Sequence, residues 1–397
     1  MDELTTPRAV TLYVGALLGP GVLLLPGLAA EVAGPASTVA WGGLLLLSGL
    51  LATVFGALGR AYPGRSGAAG FAGAAFGPRA ERAVAVCFLG GAVLGAPVVC
   101  LIGASYAARP LGGGPGMTTA LAAVLLLLVV TLTASGGRSS ARVQLGLVGV
   151  LIALVAVAVL AAAPHARAGH WTPFAPHGWV AVGTASSVLM LSFVGWEAVS
   201  PLTARLRSPR GQLPRVIAAA FVVTSVLYLA LAGATVGVLG PRAGSPTPVA
   251  DLLATGVGPA GALVAAVAAV ALTLAATNAY LTGAAAMTTE VSGPALARRL
   301  PVGVAAVGVV LLVGTGTGWW STTTLVAIPT VLFLAVYVAA TAAGVRLLTG
   351  GVRVAAAAAC VVVTVVLAFA GPVALVPVLV VGTVVLGGRR SSALSHC

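Results

Sequence analysis

Long apolar stretches alternate with short polar connections along the whole chain. Each stretch holds about 20 residues, enough for a helix to cross the roughly 30 Å hydrocarbon core of a bilayer. Glycine, proline and arginine mark the ends of the stretches. The pattern predicts twelve membrane-spanning helices, at 9–31, 36–59, 83–107, 118–134, 142–163, 180–203, 214–240, 258–288, 302–318, 321–346, 352–370 and 372–387.

The first predicted span contains two groups of residues that weaken a helix. Gly19-Pro20-Gly21 is followed within the same crossing by Pro26-Gly27. Proline lacks the N–H that a helix needs, and glycine is flexible. In lipid, unpaired backbone groups are tolerated only where protein or a watery cavity satisfies them. We therefore predict a break at a binding site, although a kinked or closely packed helix could carry the same residues.

The sixth predicted span contains a carboxylate, Glu197, which follows Phe193-Val194-Gly195-Trp196, and no other predicted span has one in its interior. An ionisable group in hydrocarbon is costly unless it faces a cavity or a partner. Glu197 is therefore a functional candidate, and the alternative is a structural glutamate bonded to a neighbouring broken helix.

The two unusual spans hold equivalent positions in two five-helix halves of opposite orientation, at about 9–163 and 180–346. Paired interruptions at matching positions are typical of inverted-repeat transporters. The N-terminus of a half-helix offers N–H groups to a carboxylate, and exposed carbonyls can accept an ammonium group. A zwitterionic amino acid fits both.

The composition agrees with a chain solvated mainly by lipid. Apolar residues make up 59% of it and charged residues 7%, with a mean hydropathy of +1.12, whereas a soluble domain has roughly 25% charged residues. No intramembrane His or Asp, nucleophile motif or metal-ligand spacing is present, so neither an enzyme nor a metal site is predicted.

The net charge of +13 comes from arginine, because lysine is absent. If the N-terminus is cytoplasmic, all but three of the 20 basic residues fall on the inside; Arg109, Arg167 and Arg242 fall outside. Short loops rich in positive charge stay on the cytoplasmic side. The charge therefore indicates orientation and contact with anionic lipid headgroups rather than nucleic-acid binding.

The motifs resemble those of the amino acid–polyamine–organocation (APC) permeases. The stretch from Gly15 to Gly27 resembles the first-helix motif of that superfamily, and Phe193 to Glu197 its sixth-helix motif. Residues 208–215 and 60–67 resemble two of its loops. The resemblance extends over nearly the full length.

Within the superfamily the chain is similar to bacterial exporters of methionine and branched-chain amino acids. This similarity rests on residues 76–82, on Gly95-Ala96-Pro97 and on Asn278-Ala279-Tyr280. It implies export of methionine, leucine, isoleucine or valine. An uptake permease or exchanger of the same fold, and a transport-inactive amino-acid sensor, are the alternatives.

The resemblance implies an all-α, LeuT-type fold in which one central site is exposed alternately to either side. Residues 1–350 would form a ten-helix inverted-repeat core, and residues 351–397 two peripheral helices and a short tail. The bacterial inner membrane, with both termini cytoplasmic, is the implied location. Residues 66–82 are expected to form a short amphipathic helix on the cytoplasmic face. The resemblance implies no cofactor, and we predict no oligomeric state.

We predict that the substrate carboxylate binds at Gly19, Gly21 and Val22, and that the backbone near Phe193, Val194 and Gly195 holds the ammonium group. Phe193 and Trp196 would close over an apolar side chain. Further predicted lining residues are Ala96, Pro97, Asn278 and Tyr280. Pro20 departs from the family pattern because it has no N–H, so Gly21 and Val22 must carry more of the carboxylate binding.

Glu197 could report protonation to the break, which would couple transport to H⁺. Sodium is a further possibility, bound by Thr273, Thr277 and backbone carbonyls. Hydroxyls on an eighth span more often serve plain helix packing.

Overall fold

The structure is a computed structural model that describes residues 5–62, 67–136, 141–196, 206 and 209–394. The regular secondary structure of these residues is helical. We number its α-helices in chain order: α1 Thr6–Leu17, α2 Leu25–Ala33, α3 Ser37–Ala61, α4 Gly67–Phe76, α5 Pro78–Ala108, α6 Pro115–Ala134, α7 Ala141–Ala162, α8 Val180–Leu189, α9 Pro209–Leu239, α10 Pro248–Val257, α11 Pro259–Ser292, α12 Pro294–Gly316, α13 Thr322–Leu347, α14 Gly350–Ala368 and α15 Leu375–Leu394.

A helix stands at the place of each predicted span. Within the described residues, nine helical stretches are long and apolar enough to cross a membrane. The first span is divided between α1 and α2, and the described part of the sixth is α8 with a 3₁₀ turn, Met190–Phe193. The apolar part of the twelfth is shorter than the nine. The all-α class predicted from the sequence is confirmed.

The break in the first span follows from its prolines. α1 ends at Leu17, the chain forms a 3₁₀ turn over Pro20–Leu23, and α2 starts at Leu25. Pro20 cannot donate to the carbonyl of Ala16, four residues earlier, so the α-helical ladder stops there. Pro26 occupies the first turn of α2, where an N–H has no partner within the helix in any case.

The 3₁₀ turns at the two breaks lie in the buried centre of the molecule. In the apolar stretches of α5 and α13, 67% of the residues are buried, against 17% in α12 and 22% in α14. α5 packs closely on α11, α13 and α6. The centre of the bundle is thus built from α5, α11 and α13 around the two breaks, while most of the surface of α12 and α14 is left uncovered by the rest of the chain.

Two short helices differ from the sequence expectations. α4 is not an amphipathic surface helix, because Phe71 and Ala72 are fully buried and it packs against α5 and α13. That expectation is wrong, and residues 78–82 belong to α5. α10 was not predicted. It packs against α7 and α11 on the side of the bundle opposite to the N-terminus.

Candidate functional site

The two interrupted spans meet at Gly195. Its φ is +142°, a backbone conformation that side-chain-bearing residues rarely adopt. A Cβ placed on Gly195 would lie 2.3 Å from the carbonyl oxygen of Ala16. This is the carbonyl that Pro20 leaves without its helical donor, so the backbone of the sixth span fits against the open end of α1.

A buried tyrosine from α9 joins the same two segments. The hydroxyl of Tyr228 lies 2.8 Å from the carbonyl oxygen of Leu17 and 2.7 Å from that of Ser192. Its single proton is shared between the two carbonyls. Tyr228 therefore links the end of α1 to the 3₁₀ turn after α8.

Tyr337 of α13 binds the backbone of the sixth span. Its hydroxyl accepts a hydrogen bond from the N–H of Gly195 at 3.0 Å and donates to the carbonyl of Phe193 at 3.3 Å. These bonds satisfy backbone groups that the break removes from the helical ladder.

Tyr106 of α5 does the same for the first span. Its hydroxyl donates to the carbonyl of Leu23 at 2.7 Å and accepts from the N–H of Val249 at 3.3 Å. Val249 lies in the first turn of α10, so Tyr106 connects the break to that helix. The sequence pattern does not predict these tyrosine hydroxyls, although unsatisfied backbone groups in a membrane require such partners.

A small cavity of about 20 Å³ lies between the breaks. This is room for about one water molecule, so an amino acid can enter only if the walls move apart. Apart from Ser192 and Tyr280, the lining side chains are apolar or absent. The lining residues are Gly19, Pro20, Gly21, Gly91, Gly95, Val99, Ile102, Leu191, Ser192, Val194, Tyr280 and Phe333.

The N–H groups of Gly19 and Gly21 have no hydrogen-bond partner within the described part of the chain. Val22 differs, because its N–H donates to the carbonyl of Gly19 at 3.2 Å inside the 3₁₀ turn. The break therefore offers two free donors, from Gly19 and Gly21, and the predicted contribution of Val22 is already engaged.

The predicted aromatic residues point to α3 and α9 rather than into the cavity. Phe193 packs on Trp41 and Tyr228, with ring centroids 5.7 and 5.3 Å away. The indole N–H of Trp196 donates to the hydroxyl of Ser48 at 2.7 Å. Phe193 and Trp196 thus hold the broken sixth span against α3, and Val194 lines the cavity.

The face of α5 that lines the cavity carries Gly91, Gly95, Val99 and Ile102. Their spacing of four, four and three residues places them on one side of a helix. The predicted lining residues Ala96 and Pro97 lie on other faces. Ala96 is fully buried, and Pro97 is directed toward Gly308 of α12.

Tyr280 and Asn278 of α11 point in different directions. Tyr280 lines the small cavity and also a second cavity of about 280 Å³. The side-chain amide of Asn278 donates to the hydroxyl of Thr133 in α6 at 3.1 Å. The structure therefore places Tyr280 in the lining and Asn278 at a helix interface.

The second cavity lies on the side of the bundle that carries the N-terminus. α1, the first turns of α7 and the second half of α11 form its walls. Gly19, Pro20 and Tyr280 line both cavities, so the two spaces adjoin at these residues.

Thr273 and Thr277 face α5. The hydroxyl of Thr273 donates to the carbonyl of Val99 at 3.3 Å, and that of Thr277 lies 3.9 Å from the sulfur of Cys100. Both threonines are fully buried. Their hydroxyls serve helix packing. Glu197, the coupling candidate, lies outside the described residues.

Comparisons with known proteins agree with this architecture. A family model described as amino acid permease matches residues 4–295. The uncharacterized amino acid permease YecA of Bacillus subtilis is 28% identical over 361 residues, 87% of this chain and 85% of that protein. The L-methionine/branched-chain amino acid exporter YjeH of Escherichia coli is 32% identical over 241 residues, 60% of this chain and 56% of that protein.

The crystal structure of MhsT in complex with L-phenylalanine has the same fold. It superposes with a TM-score of 0.62 at 15% sequence identity, and the match covers 94% of this chain and 100% of MhsT. The LeuT-type fold expected from the sequence is thereby confirmed.

Proposed function

This chain belongs to the amino acid permease family, and from that premise we propose that it carries neutral, apolar amino acids by alternating access at the paired breaks. It is a multi-pass membrane protein, and its relatives are permeases rather than enzymes. The observation that carries the proposal is the meeting of the two breaks at an apolar cavity beside the free N–H groups of Gly19 and Gly21.

The substrate carboxylate binds these two N–H groups, since unpaired donors at a break in lipid favour an anionic group. The ammonium group binds carbonyls of the turn Met190–Phe193 and of Val194. Tyr228 and Tyr337 already donate to two of these carbonyls, but a carbonyl oxygen has a second lone pair. Each of these carbonyls can therefore still accept a hydrogen bond from the ammonium group.

The walls favour an apolar substrate side chain. Val99, Ile102 and Phe333 contribute apolar side chains to the lining, and no charged side chain is among the described lining residues. A cationic or anionic substrate would leave its side-chain charge unpaired there, which is costly. Methionine, leucine, isoleucine and valine are the proposed substrates.

Export, with both termini cytoplasmic, is the proposed direction and orientation. The similarity to YjeH supports export, and the arginine distribution supports the orientation. Proton coupling through Glu197 is the proposed energy source. Sodium coupling is the alternative, because the hydroxyls of Thr273 and Thr277 have lone pairs that can bind a cation.

A transport assay in proteoliposomes tests this function. We expect saturable flux of labelled leucine and methionine, stimulated by an imposed pH gradient, and no flux of arginine or glutamate. Preloaded and empty vesicles distinguish export, uptake and exchange. Binding without flux would identify a sensor instead, and transport of arginine with leucine inert would overturn the proposed substrate class.

Glu197→Gln tests the coupling. If Glu197 carries the proton, this variant should bind leucine but lose the stimulation of flux by a pH gradient. Glu31→Gln is the matched control, because Glu31 is an exposed carboxylate at the end of α2, and it should respond to the gradient as the unmodified protein does. Unchanged pH dependence in Glu197→Gln would exclude this role.

A further inference from the structure

Ser192 carries a buried hydroxyl beside that of Tyr228, whose own proton is directed at two backbone carbonyls. Ser192 is 3% exposed, and its Oγ has no hydrogen-bond partner among the described residues. Such a group is destabilising in a protein interior unless something pairs with it. Ser192 also lines the small cavity between the breaks. The missing partner is therefore expected in that cavity.

The hydroxyl is directed at the break of the first span. Ser192 Oγ lies 3.4 Å from the position that a Cβ on Gly21 would occupy. Gly21 has no side chain, so this hydroxyl and the side chain of Leu25, whose Cδ1 lies 3.1 Å from the same position, approach its backbone closely. A group bound by the N–H groups of Gly19 and Gly21 would lie within reach of Ser192.

The backbone of Ser192 is held firmly. Its carbonyl accepts from Tyr228 at 2.7 Å, and the next residue, Phe193, packs on both Trp41 and Tyr228. The side chain therefore starts from a fixed backbone position, and little conformational freedom is lost when its hydroxyl binds a ligand.

We propose that the Ser192 hydroxyl donates a hydrogen bond to the substrate carboxylate and so replaces the N–H donor that Pro20 lacks. This inference rests on the proposed function and adds a ligand that is a side chain. A hydroxyl can replace a backbone N–H because each supplies one proton. A hydrogen bond to a charged carboxylate oxygen is also stronger than one between neutral groups.

Ser192→Ala and Ser192→Thr test the proposal in proteoliposomes, with leucine as substrate and leucinamide, which has no carboxylate, as competitor. We expect Ser192→Ala to raise the KM for leucine roughly ten- to hundredfold, the value of one hydrogen bond to a charged group. The inhibition constant of leucinamide should stay within about twofold. Ser192→Thr keeps the hydroxyl and should retain most of the affinity for leucine.

Ser187→Ala is the matched control, because Ser187 is a buried serine of α8 whose hydroxyl already donates to the carbonyl of Thr184 at 2.8 Å. It should leave the KM for leucine unchanged. An equal loss of leucine and leucinamide binding in Ser192→Ala, or an unchanged KM for leucine, would overturn this inference while leaving the proposed function intact. Absence of leucine transport by the unmodified protein would overturn both.

Discussion

Single residues decide how the two broken spans fit together. Pro20 withdraws the helical donor from the carbonyl of Ala16, and Gly195 then occupies the space against that carbonyl. The fit needs both residues. Proline creates the unpaired group, and glycine alone allows both the close approach and the φ of +142°.

Gly195→Ala should therefore abolish transport. The new Cβ would lie 2.3 Å from the carbonyl oxygen of Ala16, and the backbone conformation adds strain of about 1–3 kcal/mol. We expect leucine flux at the level of empty liposomes, together with a lower melting temperature in detergent. Normal flux in this variant would show that the breaks do not meet at Gly195.

The control for this substitution is Gly303→Ala. Gly303 lies on an exposed face of α12, and a Cβ there would meet nothing within 4 Å. Alanine favours a helix over glycine by about 1 kcal/mol. Transport should be unaffected, and the melting temperature should stay equal or rise.

At the scale of elements, α10 is tied to the end of α5 by polar contacts. Asp251 of α10 forms an ion pair with Arg109, just beyond α5, and also accepts a hydrogen bond from the hydroxyl of Ser245. The two charged side chains are 15% and 30% exposed. Tyr106 adds a second connection between α5 and α10 through the N–H of Val249.

Asp251→Asn should loosen α10. It leaves Arg109 half-buried without a carboxylate, and a hydrogen bond to a charged group contributes about 1.5–3 kcal/mol. We expect the melting temperature to fall by a few degrees. The control Glu31→Gln, which changes an exposed carboxylate at the end of α2, should leave the melting temperature unaltered. Equal melting curves for all three proteins would mean that the ion pair contributes nothing.

The spans could be predicted from the sequence because a bilayer fixes the length of an apolar helix. α10 could not, since it has ten residues, carries Asp251 and lies in a connection between spans. The breaks were also predictable, because glycine and proline act on the backbone where they stand. Sequence alone therefore placed Gly19, Pro20, Gly21 and Gly195 at the break.

The lining of the site was less predictable because buried and lipid-facing sides of a membrane helix are both apolar. Hydrophobic periodicity therefore does not tell which face of α5 is turned inward. Ala96 and Pro97 were the predicted lining residues, whereas the face with Gly91, Gly95 and Val99 lines the cavity. Phe193 and Trp196 were placed over the substrate, and their rings pack toward α3 and α9 instead.

At the scale of the whole molecule, the two cavities that share Gly19, Pro20 and Tyr280 lie toward one side of the bundle. The larger one, about 280 Å³, extends from Thr11 in α1 to Gly19 and Tyr280. On the opposite side, Tyr106 connects the break to α10. The space that adjoins the small cavity therefore lies on the side of the N-terminus, which the arginine distribution predicts to be cytoplasmic. A further cavity of about 420 Å³ lies at the opposite end of the bundle, beside the end of α2, and shares no lining residue with the small one.

Cysteine labelling measures both the open side and its orientation. In a background with the four natural cysteines replaced by alanine, Ala276→Cys places a thiol in the wall of the larger cavity. We expect a membrane-impermeant maleimide to label it in inverted vesicles and not in intact cells. Saturating leucine should slow the labelling, because binding favours states in which the path is closed.

Ala269→Cys is the control, since Ala269 lies two turns earlier on α11 and is fully buried, so it should stay unlabelled in both preparations. Labelling of Ala276→Cys from outside intact cells would reverse the orientation derived from the arginines. Equal labelling of Ala276→Cys with and without leucine would show that the larger cavity is not part of the transport path. Tyr280 lines both cavities, so a path from the small cavity into the larger one would pass it. That result would therefore exclude a path past Tyr280.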